Sequence, residues 1–396
     1  MNSFQAKMNT ATQILGVLMV FVLIFPTALE NAVMILMLAS YFLSGNYAEK
    51  WSRIRSVPVA RISLLLFGIF AVGMAYSSAN IGESLKSLKM YQELLIFPIV
   101  LSLFDSEYWR RRAYYAFFWA IGFGVLLSFF MYLGWLPHGK PEQDWVPFKG
   151  RIAFGFFLAF AVYLMVHHAA LAGTLKHRAM WSIFATLVTF DLLFLISGRT
   201  GHIVLIAMLA LLLMQYRHWV RKYWIVVVLV ITAVGTTAIL TSPAINSRAN
   251  DIELAIDNPE SSSAGLRLIF WQTSLRIVAD HPLFGAGTGS FANEFLTHAN
   301  EHAKLKADNP HNEYLLIASQ LGLAGLSAFI WLLYRQFQLA KQLPERYGLA
   351  AQGLVVAMAV GCLFNSFLRD HGEGHFYAIY AGLLFSTFLS RQKKAS

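Results

Sequence analysis

Charge and cysteine are both scarce in this chain of 396 residues. Asp, Glu, Lys and Arg together make up 13%, and there is a single cysteine. A soluble domain carries about 25% charged residues, so a water-facing globule is excluded. The lone Cys362 excludes a disulfide framework, even in an oxidising compartment, and its apolar setting reads as small packing. The glycines at 285, 287 and 289 in "GAGTGS" are not followed by Lys-Ser/Thr and no strand pattern precedes them. That excludes a phosphate-binding loop and leaves a flexible turn. Internal repeats and low-complexity segments are absent. The net charge of +10 comes without a basic stripe interleaved with stacking aromatics, so nucleic acid is not an expected partner.

What the chain has instead is apolar sequence: 57% of its residues are hydrophobic. Runs approaching the ~20 residues that span ~30 Å of hydrocarbon recur throughout. The pattern predicts an all-α integral membrane protein with about twelve transmembrane helices, at 13–29, 31–45, 62–78, 92–104, 113–136, 152–172, 179–196, 202–216, 223–241, 312–334, 349–368 and 376–390. The first run imitates a signal peptide behind Lys7, but a second apolar run follows at once, so it reads as a retained helix.

The basic residues orient these spans. With the N-terminus cytoplasmic, the inner segments carry 19 Lys and Arg and the outer segments 12, while the acids divide as 4 inside, 16 outside and Asp191 within a span. The excess of positive charge on one face follows the positive-inside rule. Both termini are then cytoplasmic, and membrane lipids are the first expected partner.

One connection is far longer than the rest. The expected organisation is therefore residues 1–241 as helices one to nine, 242–311 as a large outer loop, and 312–396 as helices ten to twelve. Within the loop, "NSRANDIELAID" and "SSSAGLRLIFWQTSLRIVADH" look helical, the second with Ser263 as N-cap. "HPLFGAGTGSF" reads as an irregular turn. A long loop with secondary structure of its own is a place for function.

Twelve outer basic residues run against the charge rule, so each invites a reason beyond topology. Lys86 and Lys89 lie in "GESLKSLKMYQE", Lys149 and Arg151 in "VPFKGR", and Arg199 in the short "LISGRTGH". Arg267 and Arg276 belong to the large loop, and Arg369 to "FLRDHGEGHF". Lys140 and Arg248, in polar stretches without a partner pattern, read as residues that snorkel to lipid phosphates. Arg267 shares a helical face with Phe270 and Trp271, which are expected to point that helix at the membrane. Several guanidinium groups at headgroup depth suit a lipid-linked diphosphate, whose oxygens take forked donors.

The stretch "ADNPHNEYLLIASQLGLAGL" sets polar residues at the mouth of an apolar run. Asn309 is expected to cap the helix and Pro310 to occupy its first turn, with His311 at the positive helix end. That end disfavours an imidazolium, which leaves His311 able to accept a proton as a general base. Its competing reading is a histidine that merely caps its helix. A second polar cluster, Arg369, Asp370, His371, Glu373 and His375, falls on the same face by topology. Asp370 or Glu373 could orient His311 or an acceptor hydroxyl, or simply form surface ion pairs. Asp251 and Glu253 are the nearest approach to an acidic metal clamp, yet sit on an amphipathic helix and read as solvated. His167 and His168 read as paired or interfacial. Asp191, an ionisable group within a span, is either functional or held by a structural hydrogen bond.

These motifs resemble the O-antigen ligases and their relatives, the O-antigen polymerases and O-linked protein oligosaccharyltransferases. The resemblance is carried by "GLRLIFWQTSLRIVADHPLFGAGTGSF" with Arg267 and Trp271, by "SGRTG" with Arg199, and by "PHNEYLLIASQLGLAG" with His311 and Asn312. It implies a GT-C-like, metal-independent inverting glycosyltransferase without cofactors, working on the periplasmic face of a bacterial inner membrane. The donor it implies is an O-antigen chain on undecaprenyl pyrophosphate, and the acceptor is lipid A core. Carried over by motif, His311 deprotonates the acceptor, Arg199 and Arg267 hold the pyrophosphate with Lys86 or Lys89 assisting, and Asn312, Trp271, Asp370 and Glu373 support them. A polymerase or protein oligosaccharyltransferase would use the same donor. A transporter would instead need polar residues along several spans, and Asp191 reads as the main internal charge.

Overall fold

The computed structural model describes residues 3–137, 144–222, 225, 259–300 and 304–390. Every regular element among them is helical. In chain order these are α1 (Ser3–Val22), α2 (Thr27–Leu43), α3 (Tyr47–Ser56), α4 (Pro58–Gly73), α5 (Ile81–Met90), α6 (Glu93–Leu103), α7 (Glu107–Tyr132), α8 (Arg151–Ala170), α9 (Leu175–Phe190), α10 (Arg199–Gln215) and α11 (Arg217–Lys222). There follow α12 (Ser263–Asp280), α13 (Phe291–His298), α14 (Glu313–Ala340), α15 (Glu345–Gly361) and α16 (His371–Phe385). Eleven of the twelve expected spans fall on one of these helices. The twelfth, 223–241, lies outside the described residues, as do Lys140, Arg248, Asp251, Glu253 and the expected helix "NSRANDIELAID".

Twelve full crossings are more than the described helices themselves carry. Four are long and apolar enough to cross a membrane, with a fifth if the α2–α3 pair, bent by 112°, is one span. Several others are only 10–17 residues long, such as α4 and α10. The protein is thus a multi-pass helical membrane protein whose described apolar helices differ widely in length.

Local chemistry sets the helix ends. Asn80 caps α5 by accepting from the Glu83 N–H at 3.0 Å, and Thr174 caps α9 by accepting from the His177 N–H at 3.3 Å. Each satisfies a donor that the first helical turn leaves open. Ser262, not the expected Ser263, caps α12 through the Gly265 N–H at 2.9 Å.

The chain divides into two compact units, Met1–Trp119 with Arg267–Ser396, and Ala120–Leu266. In the first, α6 packs between α4 and α16, and α4 packs on α14. Its core is aromatic: Phe117 and Phe376 each bring their ring centroid 5.2 Å from that of Tyr380, and Phe70 stacks on Tyr91 at 3.8 Å. In the second unit α8 is buried on nearly all sides against α9 and α10. A Cβ on Gly201 would come within 2.8 Å of the Gly155 backbone, so the glycine pair lets α8 and α10 approach backbone to backbone.

The "GAGTG" turn is not the flexible link its composition suggests. Gly322 interrupts α14 with φ 62° and ψ −161°, a conformation open essentially to glycine. The break frees carbonyls that the loop then satisfies: the N–H groups of Ala286 and Gly287 donate to Ser319 and Gln320 at 3.0 and 2.8 Å. In return, the N–H groups of Leu323 and Ala324 donate to Pro282 and Leu283. Gly285 has φ 68°, and a Cβ there would sit 2.3 Å from the Gln320 carbonyl carbon. A broken apolar helix is tolerated where protein pairs its backbone, and this loop supplies the pairing.

Candidate active site

α14 begins where the backbone is forced off the helical path. His311 has φ 53°, a left-handed conformation that is costly for a residue with a Cβ, so no helix passes through it. Two contacts hold it there: its N–H donates to Asn309 Oδ1 at 2.8 Å, and its Nδ1 lies 3.1 Å from Asn365 Oδ1. Ser366 Oγ donates to the same Asn309 oxygen at 2.6 Å. Asn309 therefore builds a turn instead of the expected helix cap, and Pro310 stands outside the helix. The cap is Asn312, whose Oδ1 accepts from the Leu315 N–H at 3.1 Å. The Asn365 oxygen can only accept, so this contact is made through a hydrogen on Nδ1.

α12 closes on this turn. Trp271 Nε1 donates to the Pro310 carbonyl at 3.0 Å, and the Phe270 ring lies nearly parallel to that of His311 at 6.4 Å. The aromatic face of α12 thus meets the histidine turn, where the expectation directed it at the membrane. An indole N–H needs an acceptor when it is half-buried, and Pro310 offers one that lipid would not. Arg267, one helical turn before Trp271 and so on the same side of α12, is half-buried.

Beneath His311 lies a buried acid that the sequence did not single out. Glu313 is fully buried, accepts from Tyr91 Oη at 3.0 Å, and takes the N–H groups of Leu368 and Arg369 at 3.0 and 3.3 Å. It thereby fixes the 365–369 segment, which carries Asn365 to His311. Arg369 clamps the same turn from outside, with Nη1 and Nη2 on the Asp308 carbonyl and carboxylate at 2.9 and 3.0 Å.

The remaining first-unit candidates occupy different settings. Lys86 and Lys89 are exposed on α5. Ser87, between them, donates to Gln320 Oε1 at 3.1 Å beside the break in α14. Asp370 stands at the head of α16. Burial pushes its carboxyl up to about 6, against the pull of the Arg369 guanidinium and with help from the Asp308 charge. Glu373 is buried in the first turn of α16. Neither acid is the hydrogen-bond partner of the His311 ring nitrogen; that partner is Asn365.

In the second unit, Arg199 opens α10 and is half-buried, within reach of the like charge of Arg151. Arg151 in turn lies 3.3 Å from Asp144, whose other oxygen accepts the Ser197 N–H and hydroxyl at 2.8 and 2.7 Å. Asp191 sits in a π-helical turn and accepts from Ser128 Oγ at 2.9 Å, which is the structural hydrogen bond expected as one alternative. His167 lies 2.8 Å from the Tyr216 hydroxyl and His168 stacks on Trp181, the pairing expected of both. Asp191 is also not alone among buried acids. Glu30, Glu93 and Glu313 are buried as well, which corrects its standing as the main internal charge.

These features define a class: a multi-pass helical membrane protein whose first unit holds a strained histidine between Asn309, Asn365 and the aromatic face of α12. Residues 184–330 match the family model described as O-antigen ligase, which supports membership of the O-antigen ligase and polymerase superfamily. That window contains Arg199, Arg267, Trp271, His311 and Asn312, and ends before Asn365. A Haemophilus influenzae protein described as an uncharacterized protein is 29% identical over 147 residues, covering 34% of this chain and 36% of that relative. The chain thus matches about a third of the relative's length.

Proposed function

We propose that this protein is an O-antigen ligase, an inverting glycosyltransferase moving an O-antigen chain from undecaprenyl pyrophosphate to a hydroxyl of lipid A core on the periplasmic side of the inner membrane. The observation that carries the reading is His311. It lies inside the family-matched window, is held in a left-handed turn at the head of a long apolar helix, and its Nδ1 faces Asn365 Oδ1 at 3.1 Å. A strained residue kept in place by several contacts is characteristic of functional sites.

In this reading Nε2 of His311 takes the acceptor hydroxyl proton as that oxygen attacks the anomeric carbon. The bond to the pyrophosphate oxygen breaks, and the leaving group departs from the opposite face, inverting the centre. Arg267 is assigned to the negative charge that grows on the leaving oxygen, where a fixed cation in a poorly hydrated site is most effective. Exposed Lys86 and Lys89 are assigned to draw the diphosphate in. Arg199 takes its phosphate-binding role from its motif, and the like charge of Arg151 beside it gives an anion a reason to bind there. Trp271 and Asn312 support the histidine turn, and Asp370 and Glu373 are assigned to the acceptor side.

The test is transfer in a purified system offering lipid A core, a second lipid-linked repeat and an acceptor protein in competition. His311→Ala should insert and elute normally yet lose transfer by at least ~10²-fold, the lower end of general-base contributions. Arg267→Ala should lose ~10²–10³-fold. Undiminished transfer by both variants would refute the site. Preference for the second repeat or the protein would move the chain to another branch of the superfamily.

A further inference from the structure

α16 opens with "HGEGH", two histidines four residues apart and therefore on one helix face. In the first unit this face meets the start of α2. The ring nitrogens of His371 and His375 and a carboxylate oxygen of Glu30 all lie within 4.8 Å of one another. His375 Nδ1 is 2.8 Å from Glu30 Oε1, and His371 Nδ1 is 3.9 Å from Glu30 Oε2.

The far side of each ring is also held. His375 Nε2 lies 3.0 Å from Glu93 Oε1, and His371 Nε2 lies 3.0 Å from Asn31 Oδ1. Both partners are acceptors, so a hydrogen on each Nε2 would leave the two Nδ1 lone pairs to an ion beside Glu30, whereas without an ion His375 Nδ1 donates to Glu30. This pattern of outer partners, a carboxylate on one histidine and an amide oxygen on the other, is how metal-binding histidines are oriented.

Charge points the same way. Glu30 and Glu93 are both buried, and Glu93 Oε2 has no hydrogen-bond partner among the described residues. One imidazolium would offset one of two buried carboxylates, whereas a divalent cation offsets both. The spacing is close to that of a zinc site: ligand atoms in a tetrahedral site with ~2.1 Å bonds stand ~3.4 Å apart, and the three candidate ligand atoms lie within 4.8 Å of one another. The His371 side chain is 39% exposed although its Nδ1 is buried, so an ion would reach the site past the edge of that ring.

We propose that Glu30, His371 and His375 form a binding site for a divalent transition-metal ion of the zinc class, with Glu93 and Asn31 orienting the two imidazoles. The ion joins the starts of α2 and α16 and, through Glu93, that of α6. It is separate from His311 and acts as a structural clamp, so it supplies no step of the transfer proposed above.

The full-length chain, purified in detergent, equilibrated with zinc and then desalted, is assayed for metal by mass spectrometry. About one equivalent per chain is expected, falling below roughly a tenth in Glu30→Gln and His371→Ala, since a site that loses one of three protein ligands no longer holds zinc tightly. Asn31→Ala should keep its fold and weaken zinc affinity ~10–100-fold, and His311→Ala should retain the full equivalent. Cobalt in place of zinc should give the intense visible bands of a four-coordinate ion. Wild-type protein that holds no zinc would overturn the proposal and leave a proton shared among these groups. Full retention by both Glu30→Gln and His371→Ala would overturn it as well.

Discussion

Replacing Glu313 tests whether this buried acid matters for its charge or for the donors it satisfies. In Glu313→Ala, the Tyr91 hydroxyl and the N–H groups of Leu368 and Arg369 lose their acceptor. Each stranded buried donor costs about 1–3 kcal/mol. The Arg369 contact at 3.3 Å is the weakest, and removing a buried carboxylate returns part of its desolvation cost. The net loss is then about 2–5 kcal/mol. In Glu313→Gln the amide oxygen can accept from both backbone N–H groups, while the NH₂ donates to Tyr91 Oη, which accepts as readily as it donates. That variant should lose less than about 1 kcal/mol.

The assay is thermal unfolding of the detergent-solubilised protein followed by intrinsic fluorescence. At roughly 1–2 °C per kcal/mol, extrapolated to a chain of this size, the alanine variant should unfold roughly 2–10 °C earlier and the glutamine variant within about 1–2 °C of wild type. Because Glu313 anchors the segment bearing Asn365, sugar transfer should fall in alanine and persist in glutamine. Equal losses in the two variants would mean that the charge matters, and the hydrogen-bond reasoning would be refuted.

Two further outcomes follow from the fold. Gly322→Ala places a Cβ 2.4 Å from the Leu283 carbonyl in a glycine-only conformation, so strain and overpacking together should cost about 2–6 kcal/mol. Gly68→Ala, where a Cβ would meet nothing within 4 Å, should be neutral or slightly stabilising in the same melt, and a Gly322→Ala protein as stable as Gly68→Ala would discredit the break. His298 links α13 to α12: burial opposes its charge, but the Glu294 carbonyl, the Asp280 carboxylate at 2.9 Å and the charges of both acids outweigh that and raise its pKa. A raised folded pKa gives stability that is fully present below the unfolded value of about 6.5 and lost as pH rises through the folded one. Amide exchange in residues 291–298, corrected for intrinsic rates, should therefore be faster in mildly alkaline buffer than at pH 6, and His298→Gln should flatten that difference.

Much of this architecture was legible because hydropathy reports what a helix must bury, and eleven expected spans fall on helices. What hydropathy averages away is the backbone. "SQLGLAGL" scores as an unbroken apolar run, and only the left-handed conformation of Gly322 turns it into two segments with a loop docked between them. The same loss affects His311. Its position before an apolar helix is visible in the sequence, but its partner Asn365 is 54 residues away, in "CLFNSF", where an asparagine between phenylalanines carries no local signal. Residues that meet across such separations leave no periodicity to detect.

The acids make the sharper case. Glu30, Glu93 and Glu313 each stand within a residue or two of an expected span boundary, so counting by loops assigned them to water. In the fold each lies in the first turn of a helix, where the dipole favours an anion and where the span end can still be buried by neighbours. Glu313 is satisfied by hydrogen-bond donors, whereas Glu30 and Glu93 share a histidine. A span-end acid followed by an apolar run is therefore ambiguous in sequence, because lipid headgroups and a buried polar cluster demand the same residue at the same place. What separates the two is whether distant segments bring a donor or a cation to it.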